Sequence, residues 1–208
     1  MARNEAKRQK KLMKKRQKDK ARIHHLAEVV PYAMLSPKKK IQQARTYPLH
    51  ECRINPNWQE KGLATVLVTR RQPDDFLAFG VYLVDTFCLG VKNTFCNADF
   101  TISRYETEVV PRAFESVGGS EFCESELACQ VVYGAIAYAE QFGFKPNHDY
   151  KLSQYILDAP QEIGPSDIEF GKDGKPFFIS GPNDNVDRIM HQLKSCAGEG
   201  NFDYLCQA

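Results

Sequence analysis

The sequence has no apolar run long enough to cross a membrane, although it contains 208 residues. A membrane-spanning helix needs about 20 consecutive apolar residues. The charges at the N-terminus are not followed by the apolar stretch that a secretory signal requires. The segment is also rich in Lys and has no Ser, unlike a mitochondrial presequence. We therefore expect a cytoplasmic protein that makes no membrane contact.

The sequence also lacks paired cysteines. Its seven cysteines are an odd number, and no two of them stand at the C-x-x-C spacing of zinc knuckles and redox motifs. They are Cys52, Cys88, Cys96, Cys123, Cys129, Cys196 and Cys206. Several lie inside apolar segments, which indicates reduced thiols that pack as small core residues in a reducing compartment. We expect no structural metal and no cofactor.

Aromatic residues, glycine and proline are all missing from residues 1–30, which we call the basic arm. Within it, residues 1–22 carry eleven basic side chains against Glu5 and Asp19, a net charge of +9. The basic residues are Arg3, Lys7, Arg8, Lys10, Lys11, Lys14, Lys15, Arg16, Lys18, Lys20 and Arg22. Since the whole chain carries +2, residues 23–208 carry −7. A near-neutral total therefore hides a polycation joined to an acidic domain.

This charge asymmetry predicts a polyanionic partner, and RNA fits it best. Lys outnumbers Arg in the arm and no aromatic side chain stands between the charges, so phosphate contacts are favoured over base stacking. A helix of about 22 residues would reach roughly 30 Å along a structured RNA. We therefore predict that the eleven basic residues of the arm are the nucleic-acid-binding site, and that the RNA is ribosomal.

Residues 31–208 are predicted to form a single α+β domain. Leu63–Arg71 and Phe76–Cys88 are apolar and rich in β-branched residues, and the four-residue turn between them indicates an antiparallel hairpin. Val91–Phe100 extends it as a third strand. A second hairpin is expected from Ile168–Phe170 and Pro176–Ile179, because the Asp-Gly pair between them favours a tight turn.

Helices are expected on either side of that second hairpin. Ser103 and Glu106 have the spacing of a capping box, which begins a helix through Phe114. A long helix is predicted from Ser120 or Glu121 to Phe142, and a last one after Asp184 or Asn185. The order of arm, hairpin, helices, hairpin and helix predicts an α+β fold, with an antiparallel sheet covered by helices on one face.

Three short stretches of this domain contain residue types that carry chemistry. Cys88 lies near Asp85 and is a candidate activated nucleophile, but a thiolate also needs a base and the sequence places no His nearby. The adjacent pairs His50-Glu51 and His148-Asp149 can orient an imidazole for acid–base work. Adjacent residues on a strand point to opposite faces, so core packing or a surface role is the favoured interpretation of all three.

The stretches ECRINPNWQEKGLATVLVTRR, GVYLVDTFCLGVKNTF and EFGKDGKPFFISGPNDN together resemble a family of uncharacterised bacterial proteins. The resemblance covers about residues 48–195. It implies that the domain is a stand-alone unit to which the arm has been added. It transfers no activity and no site residue.

Taken together, these features predict a non-enzymatic RNA-binding protein, associated with ribosomes, in which the arm supplies affinity. One alternative is a cysteine- or histidine-dependent hydrolase or transferase that the arm localises to nucleic acid. Another is an accessory factor whose domain binds a protein partner.

Overall fold

The structure, a computed structural model, describes residues 31–206. The basic arm and its predicted helix lie outside this range. A short 3-10 turn at Tyr32–Met34 precedes a compact unit that begins at Pro37. The unit contains a five-stranded antiparallel sheet in the order β4-β3-β2-β1-β5 and a small parallel pair, β6-β7. The strands are β1 (Leu49–Ile54), β2 (Leu63–Arg71), β3 (Phe76–Asp85), β4 (Gly90–Thr101), β5 (Glu121–Phe122), β6 (Phe177–Ile179) and β7 (Asp203–Leu205).

Helices connect and cover these strands, which confirms the α+β fold. The longest helix is α5. A π-helical turn at Tyr105–Val109 joins α3 to α4, so that the three segments form one continuous helical stretch. The helices are α1 (Pro37–Gln43), α2 (Trp58–Lys61), α3 (Ile102–Arg104), α4 (Val110–Phe114), α5 (Ser125–Glu140), α6 (Tyr150–Ser153) and α7 (Val186–Cys196).

The predicted hairpin between β2 and β3 is confirmed. Its pairing runs without a break from Leu63 opposite Asp85 to Arg71 opposite Leu77. β4 then pairs with β3 from Gly90 opposite Asp85 onward, with two irregularities in register. β3 ends three residues earlier than predicted, because a turn at residues 86–89 follows Asp85.

One face of the sheet packs against α5, α6 and the loop after α6. Val66, Val68 and Val84 contribute side chains from the strands, and Val131 and Ala135 contribute them from α5. β4 approaches α5 so closely at Gly90 that an added Cβ would lie 2.9 Å from the carbonyl oxygen of Ala135. Gly90 also has a φ of +69°, so glycine is required there for both reasons.

The opposite face of the sheet is covered as well, which corrects the expectation of a single covered face. Leu67, Leu77 and Phe79 pack there against Tyr105 and Phe114 of the stretch that runs from α3 to α4. This stretch follows β4 directly, and its apolar side chains bury the second side of the central strands. The resulting architecture has helices on both faces of an antiparallel sheet.

The π-helical turn has a local cause in Pro111. Proline lacks an N–H, and its ring clashes with the carbonyl group four residues earlier in a regular helix. Here the backbone widens over Tyr105–Val109, directly before the α4 segment in which Pro111 sits near the N-terminus. Thr101 caps the N-terminus of this helical stretch, because its side-chain oxygen accepts a hydrogen bond from Arg104 N at 3.3 Å. The helix therefore starts before the predicted capping box at Ser103.

The start of the long helix was predicted four or five residues too early. Glu121 and Phe122 form the edge strand β5 instead and pair with Ile54 and Arg53 of β1. Ser125 is the first helical residue. Strand pairing with β1 therefore overrides the helical signal at the Gly-Gly break.

The second hairpin was also wrong, although its turn is present. Lys172 and Lys175 exchange backbone hydrogen bonds of 2.8 and 3.0 Å around Asp173 and Gly174, both of which have positive φ. The segment before the turn is not a strand. β6 pairs instead in parallel with β7, close to the C-terminus. A third apolar cluster, with Phe178, Leu193 and Phe202, lies in this region.

The two isoleucines Ile156 and Ile136 allow a matched test of the first core. Ile156 is 0% exposed, whereas Ile136 is half-buried at its margin. We expect Ile156→Ala to lower the free energy of unfolding by about 2–5 kcal/mol. Ile136→Ala should cost clearly less, because part of its side chain already contacts solvent. Urea denaturation of both variants measures the difference, and equal losses would contradict this description of the core.

Candidate functional site

The predicted nucleic-acid-binding residues all lie in the basic arm, outside the described residues. The structure does place the three chemistry-bearing stretches of the domain. It also shows two surface grooves that sequence patterns did not reveal.

Asp85 is buried at the end of β3 and organises the turn into β4. Its Oδ1 atom accepts hydrogen bonds from the backbone N–H groups of Phe87 at 3.0 Å and Cys88 at 2.9 Å. Burial raises the pKa of Asp85 to about 6, although Lys92 and the turn N–H groups oppose this effect. The Asp85 carboxylate therefore stabilises the short turn that connects β3 to β4.

Cys88 is part of the third apolar cluster rather than of a reactive site. Its side chain is 0% exposed and packs among Phe178, Leu193 and Phe202. Burial, and to a lesser extent the nearby Asp85 charge, raises the pKa of the Cys88 thiol well above its usual range. A thiolate nucleophile needs the opposite shift. Cys88 and Asp85 are thus brought together, but in an arrangement that suppresses ionisation of the thiol.

The loop before α7 forms a turn and a cap, so the helix begins after Asn185, one of the two predicted start positions. Asp184 Oδ2 accepts a hydrogen bond from Gly181 N at 2.8 Å and forms an ion pair with Lys92 Nζ at 2.6 Å. Asn185 Oδ1 accepts from Arg188 N at 3.0 Å and caps the helix.

Glu51 belongs to a hydrogen-bond network that joins the sheet to the π-helical turn. Arg53 Nε donates to Glu51 Oε1 at 2.7 Å, and the Tyr105 hydroxyl donates to the same oxygen at 2.6 Å. Thr69 Oγ1 donates in turn to the Tyr105 hydroxyl at 2.8 Å. Burial disfavours the Glu51 carboxylate, but the hydrogen bonds from Arg53 and Tyr105 together lower its pKa.

His50 does not share this network through a hydrogen bond with Glu51. Its ring meets the edge of the Tyr105 ring, with centroids 6.2 Å apart. The other pair, His148 and Asp149, has Nδ1 and Oδ1 atoms 3.3 Å apart, and both side chains are largely exposed. The exposure of both side chains gives this pair little of the burial that shifts the pKa of an acid–base group.

An acidic groove of about 970 Å³ lies beside the N-terminal half of α5. It combines six carboxylate side chains with Lys172 above a partly apolar floor that includes Phe87 and Leu127. The carboxylates belong to Glu60, Glu124, Glu126, Asp167, Glu169 and Asp173. Because these residues come from distant parts of the chain, no local sequence pattern predicts the groove. Its charge repels phosphate groups.

A second groove, of about 500 Å³, lies between β3, β4 and the stretch from α3 to α4. We call it the aromatic groove. Its lining residues are Phe79, Val81, Asn93, Phe95, Phe100, Glu108, Val109, Arg112 and Ala113. Phe95 is 57% exposed there, a large value for an aromatic residue in a long strand. Asn93, Phe95 and Phe100 of β4 line the groove, whereas Val91 packs in the core beside α5, so the two irregularities in register break a simple alternation along the strand.

The remaining geometric observations concern metals and membranes. In the part of the chain that the structure describes, no three His, Cys, Asp or Glu side chains are grouped closely enough to hold a metal ion. Among the same residues, no helix has both the length and the apolar content needed to span a bilayer.

Comparison of the chain with protein-family models, with curated proteins and with solved structures finds no match in any of the three. The resemblance to a bacterial family therefore stays a prediction, and the functional argument depends on the chemistry of the residues themselves.

The raised pKa of Asp85 predicts a specific pH dependence of stability. The folded protein binds this proton with a pKa of about 6, compared with an ordinary value of 3.8. Between these values the native state holds more protons than the unfolded chain, so this group's contribution makes stability fall as pH rises through the window. Over about two pH units the change is of order 3 kcal/mol.

Asp85→Asn keeps an oxygen acceptor for the turn and removes the titration. We expect its stability, measured by urea denaturation from about pH 4 to about pH 7, to lose this part of the wild-type slope. Parallel profiles for wild type and Asp85→Asn would show that Asp85 titrates normally.

The burial of the cysteines predicts the order in which they react. Cys196 and Cys206 are exposed, whereas Cys52, Cys88 and Cys129 are buried, and burial raises the pKa of Cys129 to about 12. Alkylation of the native protein, followed by mass spectrometry, should label the two exposed residues first. The buried three should react only after unfolding. Rapid labelling of native Cys88 would favour the enzyme alternative.

Proposed function

We propose that the chain is a non-enzymatic RNA-binding protein, associated with ribosomes, that holds RNA through the basic arm. The observation that carries the proposal is the segregation of charge, with +9 in residues 1–22 and −7 in the rest of the chain. Solubility alone does not require such a separation. A dense cluster of one sign instead favours a partner of the opposite sign.

The composition of the arm specifies the kind of contact. Seven of its eleven basic residues are Lys, a compact point charge that suits phosphate oxygens, and no aromatic residue is present to stack on bases. Each neutralised phosphate releases condensed counterions, so binding by such a segment is strong at low salt and weak at high salt. The sequence of the RNA contributes little to this type of binding.

The charge of the domain supports placing the RNA contact in the arm. Six carboxylates line the acidic groove against Lys172, so this groove disfavours a polyanion. The basic side chains Arg45 and Arg70 serve the fold instead. Arg45 donates to the carbonyl oxygens of Leu157 and Gln154, and Arg70 donates to that of Ile156.

The enzyme alternative has weaker support from the described residues. Its leading nucleophile, Cys88, is buried and resists ionisation. Glu51 is held by Arg53 and Tyr105 as a structural ion pair. Neither arrangement supplies a side chain that is free to take a proton from a substrate.

A salt titration tests the proposal. If six to ten phosphates are contacted, affinity for a structured RNA should fall by roughly 10³–10⁵ between about 50 and 200 mM salt. Replacing the eleven basic residues of the arm by Gln should abolish most of the affinity and the salt dependence, while the domain stays folded. A single Lys→Gln change should lower the slope by about one.

The matched control alters charge elsewhere on the chain. Replacing Lys151 and Lys175, which are exposed in the domain, by Gln removes two positive charges outside the arm and should leave the salt slope nearly unchanged. Equal affinity and slope for the wild type and the arm variant would refute the proposal.

A further inference from the structure

The aromatic groove has the features of a small-molecule site that the proposed RNA contact does not use. Its volume of about 500 Å³ lies within the range typical of ligand pockets. It is formed by two firmly paired strands on one side and by the helical stretch from α3 to α4 on the other. Strand pairing on one side and core packing on the other hold these lining elements in place.

Three phenylalanines form the apolar part of the groove. Phe79 is 1% exposed and lies at the base. The Phe95 ring is 5.9 Å from it, and the Phe100 ring stands edge-on at 5.1 Å. The exposed face of Phe95 remains open to solvent, and a planar ring placed against it would bury apolar area on both partners.

The two charged side chains that line the groove differ, because Glu108 has an ion-pair partner and Arg112 has none among the described residues. Arg104 binds Glu108 through two hydrogen bonds of 3.0 and 2.8 Å, and its guanidinium lies 4.5 Å from the centre of the Phe100 ring. The Glu108 charge is therefore already compensated. Arg112 lines the same groove and has no ion pair or hydrogen bond with any residue of the described range. One positive charge is thus left for a ligand.

The edge of β4 argues against another protein strand as the occupant. β4 is the outer strand of the sheet, where an added strand would pair with free N–H groups. Asn93 Oδ1 instead accepts from Thr94 N at 2.9 Å, and Asn97 Oδ1 accepts from Ala98 N at 2.7 Å. These side chains occupy two of the donors that strand addition requires.

We propose that the aromatic groove binds a small aromatic monoanion, with its ring on Phe95 and its carboxylate at Arg112. The aromatic lining accounts for the ring, the volume for the size, and the single uncompensated guanidinium for the charge. Arg binds carboxylates through paired, charge-assisted hydrogen bonds. This site is independent of the RNA contact in the arm.

Competition binding to the full-length protein tests the proposal, and a neutral probe is used because the +9 arm itself attracts anions. The neutral dye N-phenyl-naphthylamine reports occupancy of the groove by fluorescence. It is displaced with naphthoate or with its neutral analogue naphthamide. We expect naphthoate to bind more tightly than naphthamide. Arg112→Gln should weaken naphthoate about fivefold and leave naphthamide unchanged, as expected for one exposed ion pair.

Two further variants and a control locate the site. Phe95→Ala should weaken both ligands, and Ala113→Phe should block both by filling the groove, with circular dichroism confirming the fold. Arg188→Gln removes an exposed arginine from α7 and should change neither. The proposal is overturned if the dye does not bind saturably, if Ala113→Phe has no effect, or if Arg112→Gln does not discriminate between the charged and neutral ligands.

Discussion

The double-sided burial of β2 and β3 is the constraint on which the rest of the fold depends. Val66 and Leu67 are neighbours in β2, and both are 0% exposed although they point to opposite faces of the sheet. Neither face can therefore be left to solvent. The long helix α5 covers one face, and the stretch around Tyr105 must cover the other. The Tyr105 hydroxyl, bonded to Glu51 and Thr69, ties that second layer to the strands.

The local part of this fold was predictable from sequence, whereas the distant pairings were not. β2 and β3 are consecutive, apolar and joined by a turn, so their hairpin follows from short-range signals. β5 has only two residues and pairs with β1, which lies far away in sequence. Likewise β6 pairs with β7 rather than across its own turn. Pairings of this kind depend on which surfaces the folded core leaves available, and no local pattern records them.

The candidate sites also combine features that short-range sequence patterns predict with features that only the folded structure shows. Asp85 and Cys88 are close in sequence, and the structure keeps them close, but it uses the carboxylate to hold a turn and the thiol to fill a core. Core packing was the favoured interpretation of Cys88 and is confirmed, but residue types alone left a reactive role open because burial decides whether a thiol ionises. Both grooves combine residues from several elements. A simple alternation along β4 does not reveal the exposed Phe95, because the strand contains irregularities in register.

Charge then separates what the arm and the domain can do. At physiological salt, electrostatic fields fall off over about 8 Å. The carboxylates that line the acidic groove therefore repel a polyanion only over a short distance. This short range is consistent with the proposal that the arm attracts RNA although the remaining chain carries −7. Under the proposal, the domain does not need to bind phosphate. Its aromatic groove, lined by Arg112, is then available to a different and much smaller ligand.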